Sequence, residues 1–143
     1  MMNTKELLKA RGRDAVRLDA AKTIEDAIRI FHAEKVCSVL VTENGVVAGI
    51  FTESDIVRCH VEKAGVPFSS IMLGDIMVRN LLTVDSTDDL CLIMTLMVEK
   101  NIRHIPVRDQ GEIVGMFSMR DIIKAQVQNL RSEINTLKDY IVS

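Results

Sequence analysis

The chain has 143 residues, 48% of them hydrophobic and 3% aromatic with no Trp, and a net charge of −2 from 18 basic and 20 acidic side chains. A hydrophobic share of that size supports a buried core and argues against wholesale disorder. The balanced charge and scarce aromatics argue against nucleic acid as a main partner, because phosphate-backbone binding needs a basic face.

The longest apolar stretch, "LCLIMTLMV" at 90–98, is interrupted by Thr95 and falls short of a membrane span, so no membrane partner is expected. The first residues, "MMNTKELLKARGRD", lack the apolar centre of a secretory signal. Cys37, Cys59 and Cys91 are odd in number and far apart. They read as reduced thiols in a cytoplasmic protein. His32, His60 and His104 share no ligand spacing with them, and no metal site is expected.

In chain order, an N-terminal helix comes first, followed by a short extended segment, "VRL" at 16–18. "TIEDAIRIFHAEK" (23–35) carries apolar residues at helical spacing, with Thr23 and Asp26 as a cap and its reciprocal acid. "SVLV", "ENG" and "VVAGIF" then form a hairpin, because Asn44 and Gly45 both tolerate positive φ. A second helix follows. The segment "AGVPFSSIMLG" (64–74) reads as a surface linker. The order then recurs: "LTV", the helix "DDLCLIMTLMVEK", the hairpin "HIPV"–"DQG"–"EIVGMF" and a closing helix.

Shifting residues 16–60 by 66 lays them on 82–126 without a gap. Asp19, Val41, Gly45, Gly49, Phe51, Asp55 and Ile56 meet identical residues at 85, 107, 111, 115, 117, 121 and 122. The expected fold is therefore α/β (α+β): two β-α-β-β-α repeats packed with pseudo-two-fold symmetry, between an N-terminal helix and a long C-terminal one. The expected boundaries are 8–66 for the first repeat and 76–133 for the second, with a helical extension at 134–143.

Each hairpin runs into T-x-x-D (Thr52, Asp55) or S-x-x-D (Ser118, Asp121). That spacing is how many helices begin, with hydroxyl and carboxylate capping one another and Gly49 and Gly115 allowing backbones to approach. The same geometry also suits a ligand. A helix N-terminus attracts phosphate, a carboxylate accepts from ribose hydroxyls, and an upstream glycine leaves room for base or sugar. The two readings are compatible. Arg103 and His104 enter an apolar strand and Arg120 opposes a helix dipole, and a bound phosphate would resolve all three.

With "GVVAGIFTESD", "GDIMVRNLLTVDSTDDL" and "RHIPVRDQGEIVGMFSMRD" in view, the chain resembles a tandem pair of cystathionine-β-synthase (CBS) domains, a Bateman module, over residues 8–133. It is most like small stand-alone bacterial proteins of this kind. The resemblance implies a regulatory module binding AMP, ATP, NAD or S-adenosylmethionine in clefts between the paired domains, as a regulatory ligand rather than a catalytic cofactor. By motif, Asp55 and Asp121 would hold ribose, Thr52 and Ser118 would meet phosphate, and Val39 with Ile105 and Pro106 would flank adenine. One cleft would add Thr83, Arg103, His104 and Arg120 to Thr52 and Asp55. Its mirror would add Lys22, Cys37 and Ser38 to Ser118 and Asp121. Because Cys37, Ser38 and Ser54 stand where the second repeat has Arg103, His104 and Arg120, the two sites are expected to be unequal.

The sequence shows no nucleophile beside a base, no clustered metal ligands and no Walker loop, so no catalytic residue is expected. A scaffold with vestigial clefts and a nucleotide-processing enzyme are the competing readings. The last helix carries Ile123, Val127, Leu130, Ile134, Leu137 and Ile141 at alternating spacings of four and three. This stripe serves a two-stranded coiled coil or packs on the chain's own body near Leu7 and Leu8. The resemblance also implies a homodimer, and with no output domain attached the regulated protein would be a separate, unidentified partner.

Overall fold

The computed structural model describes residues 1–11 and 15–142. By contact it divides into two units, Ala15–Leu81 and a second made of Met1–Asp14 together with Leu82–Ser143. Helix α1 (Thr4–Ala10) thus belongs with the second repeat, although it precedes the first.

The first unit contains β1 (Arg17–Asp19), α2 (Ile24–Glu34), β2 (Ser38–Glu43), β3 (Val46–Thr52) and α3 (Glu53–Glu62), then a short α4 (Leu73–Ile76). Strand β1 pairs parallel to β2, and β2 pairs antiparallel to β3. The β2–β3 turn holds Asn44 at φ 52° and Gly45 at φ 78°, the two left-handed residues that match a hairpin's twist. Thr23 and Asp26 form the reciprocal cap expected of them: Thr23 N donates to Asp26 Oδ2 at 2.9 Å and Asp26 N to Thr23 Oγ1 at 3.2 Å. The core joins Ile24, Ala27 and Phe31 of α2 to Val39, Val41 and Phe51 of the sheet and to Cys59 of α3. Phe31 and Phe51 stack with centroids 6.1 Å apart. Burying Phe51 completely contributes roughly 1.5–3 kcal/mol.

The stretch 64–74 is only partly the surface linker its composition suggests. Ala64–Pro67 is exposed, but Ile71 and Leu73 enter the core beside Ile76 and Met77. The cause is backbone pairing: Ile24 N donates to Ile71 O and Leu73 N to Lys22 O, while Ile50 and Val78 exchange both bonds at 3.0 Å. By contact the first unit therefore extends through these residues to Leu81.

The second unit repeats the order with β4 (Val84–Asp85), α5 (Leu90–Glu99), β5 (His104–Asp109), β6 (Glu112–Ser118) and α6 (Met119–Val142). Its sheet order matches the first, and its hairpin turns through Gln110 at φ 51° and Gly111 at φ 83°. Each sheet has a register shift in its middle strand, at Val41/Thr42 and at Val107/Arg108, 66 residues apart as the repeat requires. Helix α1 seats Leu7 and Leu8 among Leu90, Ile93, Met97, Phe117, Ile122 and Ala125. The buried Thr4 hydroxyl donates to the Asp88 carbonyl, and the Asn129 amide bonds both backbone groups of Met2 at 2.9 Å. Leu7 and Leu8 thus meet α6 through Ile122 and Ala125, while the stripe from Ile123 to Ile141 stays exposed. No helix among the described residues is long and apolar enough to cross a membrane.

Candidate functional site

Strand β3 runs directly into α3 at Thr52, and β6 runs directly into α6 at Ser118. At both junctions the preceding hairpin strand supplies the first cap, since Glu53 N donates to Cys37 O at 3.1 Å and Met119 N to Arg103 O at 2.7 Å. The register opposes Ser38 to Thr52 and His104 to Ser118. Each unit therefore gathers most of its candidate residues around one helix start: Cys37, Ser38, Thr52 and Asp55 in the first, and Arg103, His104, Ser118, Arg120 and Asp121 in the second.

The two helix starts differ in how their carboxylates are used. Asp55 is buried, at 7% exposure, and both of its oxygens are engaged. Oδ2 accepts from Thr52 N at 2.9 Å, with the Thr52 hydroxyl at 3.4 Å, and Oδ1 accepts from Arg58 Nη2 at 3.3 Å. The same Arg58 nitrogen donates to Ile76 O at 2.8 Å, and Nη1 reaches Glu62 at 3.3 Å. Burial works against the charge on Arg58, yet its hydrogen bond and attraction to Asp55 hold its pKa above the ordinary value. Sequence reasoning missed Arg58. The D-x-x-R spacing of Asp55 and Arg58, three apart on one helix face, was the available signal.

Asp121 is half-buried and less committed. Its Oδ2 accepts from Ser118 N at 3.1 Å, and its own N–H donates to Ser118 Oγ at 3.1 Å. Among the described residues, nothing donates to Oδ1. Asp121 also lines a hollow of about 430 Å³ between α1 and α6, with Leu7, Arg11, Lys124 and Arg131 on its walls. Arg103 and Arg120 are exposed, and neither guanidinium makes an ion pair or hydrogen bond among the described residues. Glu53 and Asp55 sit in the first turn of α3, where their charge opposes an incoming anion. The first turn of α6 instead combines Asp121 with Arg120, and Arg103 lies across a backbone hydrogen bond from that turn. Within the second unit these cations therefore stand at the same helix start as Ser118 and Asp121.

Several expected roles need correction. Val39 and Ile105 have no accessible surface and Pro106 is buried; the first two belong to the cores, so their side chains are committed to packing rather than to a base. Lys22 follows β1, whose parallel register sets Asp19 beside Thr42, and so lies at the opposite end of β2 from Cys37 and Ser38. Thr83 adjoins β4, level with Pro106, and its hydroxyl accepts from Arg108 Nε at 3.2 Å. Gly49 does not clear space for a ligand: a Cβ there would lie 2.6 Å from Met77 Sδ and 2.9 Å from Val78 O. Among the described residues, no three His, Cys, Asp or Glu side chains form a metal cluster.

The sequence model of the CBS domain matches this chain twice, over 11–62 and 73–128. The chain belongs to the CBS domain family. The CBS domain-containing protein CBSX3, mitochondrial, of Arabidopsis thaliana is 34% identical over 83% of this chain. This chain spans 60% of that relative's length. The CBS-domain protein ATU1752 from Agrobacterium tumefaciens is 32% identical, with a TM-score of 0.80 over 87% of this chain and 99% of its own. The CBS domain pair of protein MJ0100, solved with 5′-methylthioadenosine and S-adenosyl-L-methionine, superposes with a TM-score of 0.75 over 90% of this chain and 98% of its own. At 20% identity, that match speaks to the fold.

Proposed function

We propose that this CBS protein is a regulatory module that binds an adenosine-containing ligand, from the class of AMP, ATP, NAD and S-adenosylmethionine, and through it modulates a separate protein or its own assembly. The observation that carries this reading is the start of α6. There Asp121 Oδ1, which accepts from none of the described residues, lies beside the Ser118 cap, with the exposed Arg103 and Arg120, whose guanidinium groups pair with none of the described residues, at the same helix start. Asp121 Oδ1 accepts from ribose hydroxyls, while Arg103 and Arg120, with the helix dipole, hold phosphate. The adenosine ligands bound to the MJ0100 domain pair support the ligand class.

The first repeat supports a narrower role. Arg58 already fills the Asp55 acceptor that a ribose would use, so Thr52 and Asp55 form the weaker site. Binding acts as a signal only as far as the ligand prefers one conformation over another.

Titration calorimetry of the intact chain against AMP, ATP, NAD and S-adenosylmethionine tests this. Asp121→Asn and Arg103→Ala should each weaken the ligand that binds by roughly tenfold or more, the loss of a charge-assisted bond of about 1.5–3 kcal/mol. Asp55→Asn should change affinity less. An Asp121→Asn variant binding as tightly as the parent, or no heat with any of the four, sinks the proposal.

A further inference from the structure

Helix α6 runs on after its contacts with the core end. Its buried residues are Ile122 and Ala125, and every residue from Arg131 to Val142 is exposed. Three turns of helix outside both cores are marginal in water on their own, so this segment gains from a partner surface. The exposed side chains specify which one. Val127, Ile134 and Ile141 repeat every seven residues, as do Ile123, Leu130 and Leu137, with exposures from 40% to 79%. β-Branched residues at one seam position and mostly Leu at the other are the two-stranded pattern.

The flanks of the stripe settle direction. One flank carries Lys124, Arg131 and Lys138; the other carries Gln126, Glu133 and Tyr140. Two antiparallel copies of this helix would set the cationic flanks against each other. Two parallel copies in register set each cationic flank against the other copy's opposite flank. Glu133 then meets Lys138 of the second copy, and Gln126 meets Arg131 of the second copy, with no like-charge pair. We propose that the exposed face of α6 docks a second copy of this chain as a parallel, in-register two-stranded coiled coil. This inference is independent of the ligand proposal.

Analytical ultracentrifugation of the intact chain should show a dimer. Leu137→Asp should abolish it while leaving the thermal melt of the units in place, since the residue is exposed and outside both cores. Glu133→Lys should weaken the dimer on the order of tenfold, and adding Lys138→Glu should restore it, as two symmetric ion pairs change sign and change back. In a Cys37→Ser, Cys91→Ser background, Leu130→Cys and Leu137→Cys should each cross-link to the same position in the partner under mild oxidation. Antiparallel helices satisfy at most one such pair. A monomeric parent, a dimer that survives Leu137→Asp, or cross-linking at only one of the two positions overturns the proposal.

Discussion

Asp55 Oδ1 and Arg58 Nη2 lie 3.3 Å apart on one face of α3, and the same guanidinium nitrogen fastens the helix to the Ile76 carbonyl at 2.8 Å. Arg58 therefore ties three things together: the cap of α3, the helix itself and the segment that returns after the linker. The Arg58 side chain is 38% exposed, so solvent screens much of the pair's Coulombic energy. Arg58→Ala should cost about 1 kcal/mol, lowering Tm by roughly 3 °C. A melt unchanged within a degree would show that the Ile76 bond and the ion pair are dispensable.

Gly49 marks a close approach, and its replacement tests that directly. In Gly49→Ala the new methyl would sit 2.6 Å from Met77 Sδ and 2.9 Å from Val78 O. A thioether can move aside, but the Val78 carbonyl is pinned, accepting from Ile50 N at 3.0 Å while Val78 N donates back to Ile50 O at 3.0 Å. The expected loss is roughly 1–3 kcal/mol, read from urea unfolding, with only partial rescue on adding Met77→Ala. Full rescue would place the whole clash on the sulfur side.

Two carboxylates, one in the α2 capping box and one in the turn after β4, set an acid limit. The Thr23 backbone N–H, despite the opposing effect of burial, holds Asp26 below its ordinary 3.8. The backbone N–H and hydroxyl of Thr87 do the same for Asp85. A folded-state pKa below the unfolded one contributes stability that is fully present above about pH 4 and is lost as pH falls through the depressed value. An Asp26→Asn, Asp85→Asn double variant should thus lag the parent at pH 6 and approach it at pH 3, measured by urea unfolding. A gap that stays constant between those pH values would remove the linkage.

The three thiols should separate by reactivity. Burial raises the Cys59 pKa, whereas Cys37 and Cys91 are exposed. A thiol reagent at pH 7.5 should therefore label two cysteines quickly and the third only on unfolding. Three equal rates would contradict the packing of Cys59 against the first core.

What could be read from the residues was local. Asn44-Gly45 specified a hairpin and Thr23 with Asp26 specified a helix start, because each acts within four residues. The spacing of 66 carried the second copy with it. What escaped depended on pairing across distance. The Gly, Pro and Ser residues of 64–70 hid the fact that Ile71 and Leu73 return to the core through hydrogen bonds with the residues flanking the α2 cap. Lys22 was misplaced because parallel β1–β2 pairing decides which end of the sheet it reaches. At Asp55 the expected cap forms, but the partner of its other oxygen, Arg58, lies outside the T-x-x-D motif and so escaped.

The second unit is assembled from the two extremes of the chain, with Leu7 and Leu8 meeting residues 82 to 118 positions later. During synthesis the first repeat emerges whole and can collapse at once, while α1 must wait for α5 and α6 to leave the ribosome. The long loop to be closed makes this the late step of folding. Cutting the gene between the repeats would therefore not yield two equal halves. Residues 15–81 would keep their own core, and residues 82–143 would be left with an uncovered apolar groove where α1 belongs.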